Sequence, residues 1–201
     1  HAPHPGTRAG RGRPAGARSA QGNRRRYRRA VPRLFHVSDS GPLPAMTPRP
    51  SPAGTPQEGR PLVWAVDERH LPNYLVPRDC PRVCWAASAA SGPLLASPAP
   101  RVVAVEHAWL PALVRATLHV HELDPAPFTE LDPLAGYWVS ERDVAVRQVV
   151  EVADCPAALA ARDVELRLVT TLWPYVDAVV AAGGEFSVIR ARNASPREDA
   201  G

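Results

Sequence analysis

Apolar and polar positions alternate in short runs from residue 34 onward, and most of these runs have the period of a strand. Leu34–Ser38 (LFHVS) places Leu34, His36 and Ser38 on one face and Phe35 and Val37 on the other. Leu62–Val66 and Arg101–Glu106 are apolar almost throughout, which predicts strands covered on both faces. Arg82–Ala87 reads as a further strand, and Leu118–Leu123 alternates cleanly. Val144, Val146, Val150 and Val152 give one strand a single apolar face, with Gln148 as its polar member. Val164, Leu166 and Leu168 alternate with Glu165 and Arg167, the pattern of a half-buried strand, and Glu185–Ala191 closes the series.

The helical signals are short. Asp67 is placed to cap a helix running to about Leu75, with Pro72 in its middle and Pro77 limiting its end. HAWLPALVRA, after Glu106, predicts a second helix. Asp154 followed by Pro156 is a cap and a first-turn proline for the alanine-rich stretch to Arg162. A last helix over Pro174–Ala182 stops at Gly183 and Gly184, where positive φ carries no steric penalty. Gly41–Pro61 is a proline-rich surface connection, and Ala86–Pro100 is a loop or a weak helix. About eight mixed or antiparallel strands and about four short helices make an α+β domain over 34–194, with 195–201 expected to fray.

Charge separates this body from what precedes it. Residues 1–33 hold ten arginines and no acidic residue, too little apolar surface to offset the entropy of ordering, so a disordered basic tail is expected. The remainder carries 14 arginines against 20 acidic residues, a formal charge of −6. RRRYRR, Arg24–Arg29, has the composition of a nucleic-acid arm. The chain lacks lysine, has one isoleucine and opens on His1, a bias that favours a mis-assigned start and an initiator at Val31. Nucleic acid is therefore not an expected partner unless the tail is translated. No run approaches the roughly 18 apolar residues of a membrane span, so no membrane partner and a cytoplasmic location are expected. Three cysteines, an odd and sparse number, do not make a disulfide framework.

Candidate chemistry concentrates in two places. His36 sits mid-strand beside Ser38 and Asp39, as a proton carrier or ligand donor on one reading and a satisfied core histidine on the other. DERHLPNYLVPRDC brings an acid, a base, an amide, a phenol and an anion clamp into one stretch: Glu68, His70, Asn73, Tyr74, Arg78 and Asp79. The plainer reading is a structural turn braced by Arg78 and Asp79. His119 and His121 share a strand face, and Glu106 with His107 would complete a metal site, although no HExxH spacing supports one. Cys80, Cys84 and Cys155 fall short of a closed zinc site and read as small core residues. Glu185 precedes the strand that Arg190, Arg192 and Asn193 end, with Arg190 facing either a carboxylate or the pocket of Arg78. Trp138 and Trp173 read as core.

With LFHVSD, VWAVDERHLPNYLVPRDCPRV, GYWVS, LWPYVDAVV and FSVIRARNA, the chain resembles a bacterial family of unknown function over Leu34–Ala194. It is more remotely similar to the ADP-ribosyltransferase-like fold, in which a strand histidine, an aromatic and a later glutamate surround NAD. That likeness implies His36, then Trp64 or Tyr74, and offers Glu141 third, off the strand that the fold requires. The combined expectation is a transferase-type enzyme acting on a nucleotide-like or other small anionic ligand, with NAD as the implied cofactor. His36, His70 and Tyr74 are the catalytic candidates, and Ser38, Asn73, Arg78 and Asp79 the binding ones. A non-catalytic binding module and a metal-dependent hydrolase are the alternatives.

Overall fold

The computed structural model describes residues 32–88 and 92–197. Its strands are β1 (Leu34–Ser38), β2 (Ala45–Met46), β3 (Arg49–Pro50), β4 (Pro61–Asp67), β5 (Arg82–Ala86), β6 (Arg101–Glu106), β7 (Leu118–Leu123), β8 (Thr129–Asp132), β9 (Tyr137–Ser140), β10 (Val144–Val152), β11 (Val164–Val169) and β12 (Phe186–Ile189). The α-helices are α1 (Leu110–Arg115), α2 (Cys155–Ala160) and α3 (Trp173–Ala182). The first sheet is antiparallel in order β2-β10-β7-β1-β4-β9-β8, with β3 paired to β4. The second, in order β11-β6-β5-β12, joins β11 to β6 in parallel and is otherwise antiparallel.

Alternation along the strands builds three apolar layers. Phe35, Val66 and Val120 of the first sheet meet Cys84, Val103 and Val105 of the second, with Leu113 of α1 and Leu159 of α2 closing the same cluster. Leu34, Val63, Ala65 and Leu123 point to the other face of the first sheet, where Met46 and Phe128 cover them. Val83, Trp85, Val102 and Ala104 turn to the far side of the second sheet, under Leu172 and Val179 of α3. Every residue of β6 is buried, the apolar run Val102–Val105 together with Arg101 and Glu106 at its ends.

The α+β class holds, and the differences lie in detail. β8 and β9 were not anticipated, and two short ladders, β2 and β3, occur within the proline-rich connection. The expected helix after Asp67 is a single 3-10 turn over Leu71–Tyr74, because Pro72 and Pro77 leave no room for more. β10 is broken by a bulge between Val146 and Gln148, so its even-numbered valines do not share one covered face and Val150 is 47% exposed. The last strand ends at Ile189, where Arg190 adopts a left-handed conformation before a 3-10 turn over Ala191–Asn193. Except for Pro32 and Arg33, the basic tail lies outside the described residues. Arg33 pairs with Glu122 at 2.7 Å and with Glu68 at 2.5 Å. Ser195, just past the expected end of the domain, gives its backbone N–H to the buried Glu106 carboxylate at 2.9 Å.

At α2 the sequence signal and the geometry agree. The Asp154 carboxylate accepts from the Ala157 amide at 2.9 Å, and Pro156 occupies the first turn. Asp154→Ala is expected to lower stability by about 1 kcal/mol, and Asp154→Asn by much less, in urea denaturation of the two variants. Equal losses would show that the cap is not what Asp154 contributes.

Candidate functional site

β1 runs beside β4 for only two residue pairs, Leu34 with Asp67 and Phe35 with Val66, while its pairing to β7 continues to Ser38. At the point of parting, the imidazole of His36 reaches across, and its Nδ1 donates to the Trp64 carbonyl at 3.0 Å. That bond leaves Nε2 with its lone pair. Burial lowers the pKa of His36, and His121, Arg78 and Arg49 add to the effect, against the opposing pull of the Trp64 carbonyl. Arg49 and Arg78 are exposed cations whose charge reaches His36. A neutral imidazole with a free lone pair, near two guanidinium groups, can accept a proton or hydrogen bond from an anionic ligand.

Three half-buried aromatic rings form a separate group on β4, β9 and the loop after β4. Tyr137 of β9 meets Trp64 edge to face with ring centres 5.7 Å apart, and Tyr74 donates its hydroxyl to that of Tyr137 at 2.9 Å. Burial pushes the Tyr74 phenol well above its ordinary range. One face of its ring is covered by the Arg82 guanidinium, 5.4 Å from the centroid. Arg82 is itself buried and donates to the carbonyls of Asn73 (2.9 Å), Cys80 (2.8 Å) and Arg78 (3.2 Å), so it holds the 73–80 loop in shape.

The other candidates have partners within the protein. Asn73 is buried and accepts from Arg101 at 3.1 Å. Ser38 is buried and accepts from the Ser40 amide at 3.0 Å. Asp79 pairs loosely with Arg190 at 3.7 Å, and its carbonyl accepts from Asn193 at 2.7 Å. Glu68 is taken by Arg33. Only Arg78 among the predicted binding residues combines exposure with proximity to His36.

His70 belongs to a different cluster. Its ring is buried, with Nδ1 2.7 Å from Asp67 Oδ1 and Nε2 3.2 Å from Glu185 Oε1, the second contact lacking the alignment of a hydrogen bond. The contact with His70 holds the Asp67 carboxyl below its usual range, against the opposing effect of burial. Glu185 also takes Arg69 at 2.5 Å and the buried Arg101. Gly136 packs its backbone against the His70 ring. The whole cluster ties the turn after β4 to the head of β12. Sequence reasoning noticed Glu185 and His70 separately and missed Arg101, Gly136 and Tyr137.

The remaining expectations resolve as follows. Glu106 binds the Leu172 and Ser195 amides on the second sheet, whereas His119 and His121 lie on the first, so the proposed metal set does not assemble. Among the described residues, no three His, Cys, Asp or Glu side chains are grouped to hold a metal ion. All three cysteines are buried, and burial pushes the thiols of Cys80 and Cys84 up to about 12 and that of Cys155 to about 11. Glu141 lies in an exposed pair with Arg60 at 2.6 Å. Trp138 packs in the first sheet's outer cluster, whereas Trp173 is half-buried outside the three apolar clusters and donates to the Ser195 carbonyl at 2.8 Å under Arg197. Two surface depressions, of about 220 and about 480 Å³, are lined by Ala86–Ser88 with Ala182–Glu185, and by Pro98–Pro100 with Asp163–Glu165. Neither is lined by His36, Tyr74 or Arg78.

No helix among the described residues is long and apolar enough to cross a membrane. Residues 35–194 match a family of unknown function, DUF6886, over the stretch whose motifs carried the resemblance. No curated protein and no solved structure matches the chain.

Proposed function

We propose a function for the chain, which belongs to that family of unknown function: it is a transferase-type enzyme acting on a nucleotide-like or other anionic small molecule at the fork between β1 and β4. The observation that carries the reading is His36. Its ring is fixed by the Trp64 carbonyl, kept neutral by burial, and within the field of Arg49 and Arg78, so Nε2 is a proton acceptor in a field that attracts an anion. Arg78 takes the role of anion clamp. His70 and Asn73 act only through the shape of the loop. The remote likeness to the ADP-ribosyltransferase-like fold makes NAD one ligand to test, although Glu141, paired with Arg60, does not supply the glutamate of that likeness.

Thermal-shift measurements on the full chain with NAD, nucleotides and sugar phosphates test this directly. A ligand at about a hundredfold over its Kd stabilises by about 2.7 kcal/mol, roughly 5–10 °C for a domain of this size. Arg78→Ala is expected to reduce the shift. His36→Ala is expected to retain most of it while abolishing turnover of the ligand so identified. Turnover unchanged in His36→Ala would overturn the catalytic role. A ligand that is bound but never turned over, with its shift lost in His36→Ala, would favour a non-catalytic binding module using the same residues.

A further inference from the structure

His121 is fully buried on β7 and stands opposite His36 of β1, with ring centroids 6.4 Å apart. Its Nε2 lies 3.0 Å from the backbone nitrogen of Leu43. A backbone N–H can only donate, so Nε2 must hold a lone pair, and the ring proton sits on Nδ1, facing the His36 carbonyl at 3.3 Å. Leu43 belongs to the segment that leaves β1 and crosses this face of the first sheet to reach β2. Its side chain packs on the outer apolar cluster with Met46. Beyond it the Pro44 carbonyl accepts from Val146 at 3.3 Å, and β2 pairs with β10. Before it the Ser40 amide is held by Ser38 Oγ at 3.0 Å. Between those two anchors, the bond to His121 holds the backbone down.

We propose that the crossing segment around Leu43 is a strap latched by His121 and released by acid. Protonation of Nε2 turns the acceptor into a donor and sets two N–H groups against each other at 3.0 Å. The charged groups around the ring favour release. His36 faces it from β1 and His119 precedes it on β7; Arg49 and Arg78 stand near His36, and the exposed Glu151 of β10 is spent on His119 at 3.7 Å. Burial, with His119 in addition, lowers the pKa of His121 below its ordinary 6.5, against the pull of the His36 and His119 backbone. A lowered pKa means that the latch is fully made above the unfolded-state value and is lost as pH falls through the lower folded-state value. The strap lies over the face that carries His36 and Ser38, so its release would regulate access to the site proposed above. The latch itself does not depend on that reading, and its test uses no ligand.

Amide hydrogen exchange of the full chain, followed by NMR at about pH 7.5 and about pH 5, reads the latch. After correction for intrinsic exchange, the protection of Leu43 is expected to fall about tenfold at the lower pH, the equivalent of one net hydrogen bond, while amides in β6 keep theirs. In His121→Gln, whose side-chain oxygen accepts without titrating, Leu43 is expected to stay protected at both pH values. Unchanged protection of Leu43 in the natural chain would overturn the proposal. So would an equal acid loss in His121→Gln, or a loss shared by β6.

Discussion

Glu185→Ala is expected to destabilise the full chain by about 3–5 kcal/mol, the range for removing one partner of a buried ion pair and leaving the other without compensation. Arg101 is the reason for so large an effect. Its side chain is only 8% exposed and it has two acceptors, the Glu185 carboxylate and Asn73 Oδ1. Removing Glu185 leaves the guanidinium buried with a single neutral partner, and leaves His70 Nε2 facing an empty space. Arg69 contributes little, because at 68% exposure its pair with Glu185 is solvated and screened. Arg69→Ala should therefore cost below about 1 kcal/mol. For a chain of this length, each kcal/mol moves Tm by roughly 2–4 °C, so Glu185→Ala should melt at least roughly 6 °C lower. Urea denaturation of Glu185→Ala, Arg101→Ala and the double variant provides the check. The double variant should cost clearly less than the sum of the singles, with a coupling of about 1–3 kcal/mol. Additive losses would show that Glu185 and Arg101 do not act as a pair, and a Glu185→Ala cost near that of Arg69→Ala would show that the pair does not bear on stability.

This cluster also marks where reading the sequence stops. β1, β6 and β7 were legible because their apolar period is complete within five or six residues and needs no knowledge of neighbours. The cap of α2 was legible because both participants lie within one turn. β8 and β9 were not, since TELD and YWVS are four-residue strands whose pairing depends on each other rather than on a covered face of their own. The bulge after Val146 was invisible for a related reason: a period-2 pattern cannot show where an extra residue enters the ladder. The His36 fork is half legible. Its histidine was singled out from its strand position, but the parting of β1 and β4 and the nearness of Arg49 arise only from the pairing of distant segments. Arg101 and Glu185 are 84 positions apart, and nothing local distinguishes Arg101 from any strand-leading arginine.

The second large effect is expected at Gly136, a residue that no motif singled out. Gly136 has φ +69°, where an L side chain costs about 1–2 kcal/mol. A Cβ there would also collide with His70 Nδ1, and would stand 2.6 Å from His70 Cγ and 2.9 Å from Asp67 Oδ1. The ring cannot step aside cheaply, because it is buried and held between Asp67 and Glu185. Nor can the backbone of Gly136, whose carbonyl accepts from the Asp67 amide at 3.0 Å. Overpacking of this kind adds about 1–3 kcal/mol, so Gly136→Ala should lose about 2–5 kcal/mol in all. Gly59 separates the two causes: it has φ +75°, and a Cβ added there would meet nothing within 4 Å, so Gly59→Ala reports the backbone cost alone. The excess of Gly136→Ala over Gly59→Ala in urea denaturation is then the cost of the collision with His70. That excess should shrink when His70→Ala is added, since truncating the ring removes what the new methyl strikes. An excess that persists in the double variant would place the collision elsewhere, and no excess at all would mean that the loop carrying Gly136 yields instead of the ring.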